Sequence, residues 1–96
     1  MKYRDFLALH ILHHASEEPV TGSFLMKELE RHGYHISPGT MYPLLHSLEK
    51  EGLLKSHWEV KDGRRIRVYE ITERGKETLE EGKKKLKELC LELLGE

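Results

Sequence analysis

Cysteine is almost missing from this chain of 96 residues. Cys90 stands alone, so no intrachain disulfide framework exists. No apolar run is long enough to span a bilayer, which argues against a membrane partner. Arg4, Asp5 and two histidines interrupt the apolar opening segment, so it lacks a signal-peptide pattern and a cytoplasmic protein is expected. A large net charge is missing too. The balance is −1, with 16 basic against 17 acidic residues, and it advertises no nucleic-acid partner by itself. No nucleophile–base constellation or phosphate-cradling glycine loop is present, so an enzyme is not expected and no cofactor is implied. The length leaves room for one small core and makes partnership with a second copy a natural expectation.

What the chain does have is distributed unevenly. Between Leu53 and Ile71 five basic residues (Lys55, Lys61, Arg64, Arg65, Arg67) stand against three acids (Glu59, Asp62, Glu70), a local net of +2. Just before it runs the most informative stretch, SPGTMYPLLHSLEKEGLL from Ser37 to Leu54. Ser37 is expected to cap a helix by accepting from a free N–H of the first turn. Pro38 occupies the first helical position, where its missing N–H costs nothing, and Gly39 follows. Met41, Leu44, Leu45 and Leu48 recur at helical spacing and form one apolar face. Thr40, Pro43, Ser47 and Lys50 fall opposite, flanked by Tyr42 and His46. A helix that packs by one face and presents small polar groups near its start suits a DNA major groove. Pro43 removes one backbone bond and should bend the helix, and Gly52 ends it.

The remaining elements follow from pattern and punctuation. Tyr3 to about Ala15 reads as a helix apolar on several sides, so one surface is available to another subunit. Pro19-Val20 reads as a very short strand. A second helix runs from Thr21 or Gly22 to about His32, with Phe24, Leu25 and Leu29 inward and Gly33 as its stop. Leu53–Val60 and Arg65–Ile71 read as two strands joined at Lys61-Asp62-Gly63-Arg64 by an Asp-Gly turn. Alternation puts Arg65 and Arg67 on an outer face and Ile66 and Val68 on an inner one. Thr72 caps a final helix to about Leu94. Its positions Leu79, Gly82, Leu86, Leu89 and Leu93 step by three and four, a heptad seam widened by Cys90 and Leu94.

Three helices, a basic hairpin and a further helix amount to a winged helix-turn-helix, α+β but mostly α. Residues 1–72 are expected to form the DNA-binding domain and residues 73–96 a dimerisation helix. Three features have plainer readings. His10 and His14 stand four apart with His13 beside them, which is metal-ligand spacing. Neither a carboxylate nor a cysteine is expected at a matching local offset, so packing is favoured and no metal is expected. Cys90 reads as a small buried hydrophobe, and Trp58 as a packing residue of the first strand.

At this point the chain resembles the PadR family of transcriptional regulators. The motif SPGTMYPLLHSLEKEGLL, the wing GRRIRVYEIT and the opening from Arg4 to Leu12 with Gly22 carry the resemblance over about residues 3 to 80. The single short C-terminal helix is similar to that of the family's smaller members. Ser47 stands where such proteins commonly carry Arg, Ser23-Phe24 replaces a usual Tyr and acid, and the last helix has no Trp. The resemblance implies a dimeric repressor on a pseudo-palindromic operator, paired through its first and last helices and responsive to a small aromatic or hydrophobic effector. DNA contacts are expected from Ser37, Pro38, Gly39, Thr40, Tyr42, Pro43, His46, Ser47, Lys50, Lys61, Gly63, Arg64, Arg65 and Arg67. The dimer interface is expected from Phe6, Leu9, Leu79, Gly82, Leu86, Leu89, Cys90 and Leu93. The rival reading is a winged-helix protein-interaction adaptor that never binds DNA.

Overall fold

The computed structural model describes residues 2–95. The order is α1 (Tyr3–Glu17), α2 (Gly22–Arg31), α3 (Pro38–Lys50), β1 (Leu54–Lys61), β2 (Arg64–Ile71) and α4 (Glu73–Leu94). Local chemistry sets most boundaries. Thr21 Oγ1 accepts from Phe24 N at 3.1 Å and opens α2, and Thr72 Oγ1 accepts from Gly75 N at 3.0 Å and opens α4. Gly33 ends α2 with φ +87°, a left-handed conformation that glycine adopts without steric cost. Ser37 differs from expectation. Its hydroxyl makes no capping bond and faces Thr40 Oγ1 at 3.5 Å, while its carbonyl accepts from Thr40 and Met41 N. Helix α3 runs unbroken through Pro43.

β1 and β2 pair antiparallel from Leu54↔Ile71 to Lys61↔Arg64, leaving the two-residue loop Asp62-Gly63. Both loop residues have positive φ, 52° and 74°, as a type I′ turn requires. Val20 makes an isolated bridge to Tyr69, with N–H···O bonds of 2.9 and 2.8 Å in the two directions. The short extended segment before α2 is therefore stitched to the wing sheet.

One core joins these pieces. Ile11, Leu12, Leu25, Leu29, Met41, Leu45, Leu48 and Leu54 are essentially sealed from solvent. Burying a large aliphatic side chain of this kind contributes about 1.5–3 kcal/mol. All four apolar positions foreseen on α3 lie in this core. Phe24 does not join Leu25 and Leu29 there. It stays partly exposed, with its ring edge-on to His14 at 6.0 Å between centroids.

Helix α4 splits in two. Leu79 is buried in the core, and Gly82 lies so close to Leu9 that an added Cβ would stand 2.5 Å from Leu9 Cδ2. These two positions serve packing within the chain, which corrects the reading of the whole seam as an intersubunit surface. Beyond Leu86 the helix projects from the body. Leu89, Leu91, Leu93 and Leu94 are exposed, the last two by 70% and 69%. Cys90 is exposed with them, so within this chain it is not a buried hydrophobe. Among the described residues no helix is long and apolar enough to cross a membrane.

Candidate nucleic-acid interface

The burial of α3 by one side leaves Thr40, Tyr42, Pro43, His46 and Lys50 exposed on the other. Ser37, Pro38 and Gly39 are also exposed at its start. Among the described residues an added Cβ on Gly39 would meet only Ser37 Oγ, at 3.7 Å, so none of them crowds this turn. Tyr42 leans back on α2. A Cβ on Gly22 would stand 2.5 Å from Tyr42 Cε1, so the absent side chain lets the ring lie against the start of α2 and sets the spacing of the two helices. Ser47 turns the other way, toward α1. Its hydroxyl accepts from the Arg4 guanidinium at 3.0 Å and donates to Glu51 at 3.0 Å, while Arg4 and Glu51 pair at 2.7 Å.

The wing is joined to α3 through a side-chain cluster that alternation alone did not reveal. Register places Ser56, Trp58, Arg67 and Tyr69 on one sheet face, continuous with the buried Leu54. Glu49, on the last turn of α3, accepts from Ser56 N at 3.1 Å and from Ser56 Oγ at 2.8 and 2.9 Å. Arg67 donates to Ser56 Oγ at 2.9 Å and to Glu49 Oε1 at 3.2 Å. The face expected to be wholly outer is thus anchored at Arg67, and Val68 on the opposite face is buried as foreseen. Trp58 is 53% exposed, which corrects its reading as a packing residue. Its ring carries Arg65 at 4.4 Å and Arg67 at 5.4 Å, within the range of cation–π attraction. Lys61, Gly63 and Arg64 are exposed at the wing tip.

The histidines gather elsewhere. The His10 ring lies 5.6 Å from His32 and 5.3 Å from Tyr34 between centroids. Burial first, then the neighbouring charges of His32, His14 and His13, hold its pKa below the ordinary imidazole value. The unfolded chain therefore takes up this proton more readily. The contribution is intact above about pH 6.5 and declines as the pH falls below it. Urea midpoints at pH 7.5 and 5.5 should differ less in His10→Gln than in the wild type; an equal difference would assign the acid sensitivity to other groups.

A three-helix body with α3 exposed on one side and a clamped two-stranded wing defines a winged-helix protein. The family described as the Transcriptional regulator PadR-like family matches residues 11–81. A transcriptional regulator of Mycobacterium tuberculosis is 52% identical over 92 residues, spanning 96% of this chain and 86% of that one. Two crystal structures of PadR-type regulators are similar throughout. The Eggerthella lenta protein shares 34% identity with a TM-score of 0.81, over 91% of this chain and 77% of that one. The Bacillus cereus protein shares 33% identity with a TM-score of 0.84, over 93% and 88%. This chain belongs to the PadR-like family and is a transcriptional regulator.

Proposed function

We propose that the protein binds double-stranded DNA sequence-specifically as a homodimer and represses transcription from a pseudo-palindromic operator. The observation that carries this reading is α3 itself. Four apolar residues hold it in the core, while Thr40, Tyr42 and Pro43 stand exposed in its opening turns and His46 one turn further on. Those turns would enter the major groove and read base edges by hydrogen bonds and apolar contact. Lys50, Lys61, Arg64 and Arg65 would supply phosphate contacts, with Ser37, Pro38, Gly39 and Gly63 allowing close approach of the backbone. Arg67 and Ser47 have a second duty. Their partners within the chain make them supports of the surface as much as contacts on it.

The dimer would form through α1 and α4, by Phe6, Leu9, Leu86, Leu89, Cys90 and Leu93, with Leu79 and Gly82 beneath. A groove of about 270 Å³ between these helices is lined by Phe6, Leu9, His10, His13, Leu79, Lys83 and Leu86. Its apolar walls suit a small aromatic effector, and occupancy there would bear directly on how two copies meet. The effector reading rests on this groove and on family membership together.

Salt dependence separates a DNA-binding regulator from a protein-interaction adaptor, since phosphate neutralisation releases counterions. The wild type should bind its operator with an affinity that falls steeply as salt rises. In the double variant Arg64→Ala, Arg65→Ala the log–log slope should become shallower by roughly two units, about one per lost phosphate contact. An unchanged slope with the fold intact removes the wing from the DNA, and absence of duplex binding by the wild type favours the adaptor.

A further inference from the structure

The last turn of α1 brings together two imidazoles and a carboxylate that lie outside the proposed DNA-contacting residues. His13 Nε2 lies 3.6 Å from Glu17 Oε1, and His14 Nδ1 lies 3.8 Å from the same oxygen. All three ligand atoms fall within 4.8 Å of one another. Glu17 stands four residues after His13 and three after His14, so successive helical turns stack them. Two nitrogens and an oxygen bound to one zinc-sized ion at about 2.0–2.2 Å would be separated by roughly 3.3 Å. The spacing seen here needs to close by only a fraction of an ångström for the Glu17 pairs.

Two further observations favour a cation at this place. The site sits on the C-terminal turn of α1, the negative end of the helix dipole. The inner ligand also has a carboxylate behind it, a little beyond hydrogen-bond distance. His14 is largely buried, and its other ring nitrogen, Nε2, faces Glu28 Oε2 at 3.8 Å. Glu28 is in turn held by Arg31 at 2.6 Å. A carboxylate behind a ligating imidazole orients the ring and raises its basicity.

We infer that His13 Nε2, His14 Nδ1 and the Glu17 carboxylate form a site for a divalent transition-metal ion of the zinc type, completed by water, with Glu28 as the orienting partner of His14. Nitrogen and carboxylate donors together suit zinc, cobalt or nickel better than calcium or magnesium. His13 also lines the groove between α1 and α4, so an ion bound there would draw its ring to the helix end and alter the groove rim.

The test is titration of the full chain with Zn²⁺ by calorimetry and with Co²⁺ by visible absorption. The wild type should bind one ion per chain and give cobalt bands typical of mixed nitrogen and oxygen ligands. His13→Gln and Glu17→Gln should each weaken binding at least tenfold, and Glu28→Gln by about 10–100-fold. These side chains lie at or near the surface, and circular dichroism checks that each variant is folded. His35→Gln, outside the cluster, should bind as the wild type does. Wild-type binding no tighter than that of His13→Gln overturns the site, as does failure of the wild type to take up either ion. Loss of binding only on His32→Gln overturns it in favour of the His10–His32 pair.

Discussion

Gly75→Ala should destabilise the fold by about 3 kcal/mol, the upper part of the range for overpacking a site that cannot yield. The third residue of α4 lies directly over the loop that joins α3 to β1. An added Cβ would overlap the Leu53 carbonyl oxygen and crowd Ile71 Cγ1 as well. That oxygen cannot move aside freely, because it accepts from Thr72 N at 3.1 Å while Thr72 Oγ1 donates to Gly52 O at 2.6 Å. Gly82→Ala is the informative comparison. Its Cβ would meet Leu9 Cδ2, the free end of a flexible side chain, and the better helix propensity of alanine offsets part of the crowding. Urea unfolding should give a loss of about 1 kcal/mol or less there. Equal costs at the two glycines would show that the backbone around Leu53 gives way as easily as a leucine rotamer.

The second large effect concerns assembly. Leu86→Glu with Leu93→Glu should convert a dimer into monomers at micromolar concentration, because it places carboxylates where the proposed interface is most apolar. Charges left unpaired in such a setting cost several kcal/mol. Leu86 is half-buried in the groove and Leu93 lies on the projecting end of α4, so neither change removes a side chain from the sealed core. The helical signal of the monomer should therefore survive. Sedimentation of the wild type as a monomer at the same concentration defeats the dimer proposal outright. A dimer in the double variant would place the interface on another surface.

Much of the architecture could be read from short-range chemistry. Thr72, Gly33 and the Asp62-Gly63 pair act on the backbone within a few residues, so their effects are visible without tertiary context. The one-sided burial of α3 follows from helical spacing in the same way. The misreadings share a different origin. Alternation assigned Arg67 to a strand face but could not say that this face meets α3, so the Glu49–Ser56–Arg67 cluster stayed hidden. Its one hint was that Glu49 is the first acid after a long stretch of α3 without one. A heptad spacing is the same whether its partner is a helix of this chain or of another. Leu79 and Gly82 therefore looked like Leu89 and Leu93 until α1 was seen against them. Phe24 and Trp58 show that bulk alone does not decide burial in a chain with so small a core. Glu17 stands three and four residues after His14 and His13, but sequence offsets alone do not separate a ligand from one more exposed acid at a helix end.

The clamp through Glu49 bears on how such a protein would choose among DNA sites. With Arg67 and Ser56 tied to the last turn of α3, the hairpin and the helix are linked and would act together as one jaw. A rigid jaw offers two fixed points to the double helix, so any mismatch in their spacing must be taken up by the DNA. Sequences that narrow or bend easily at the required step would accommodate it at lower cost than stiff ones. Preference would then extend to base pairs that no side chain reaches, and loosening the jaw by Glu49→Gln would blur that preference before it weakened the grip.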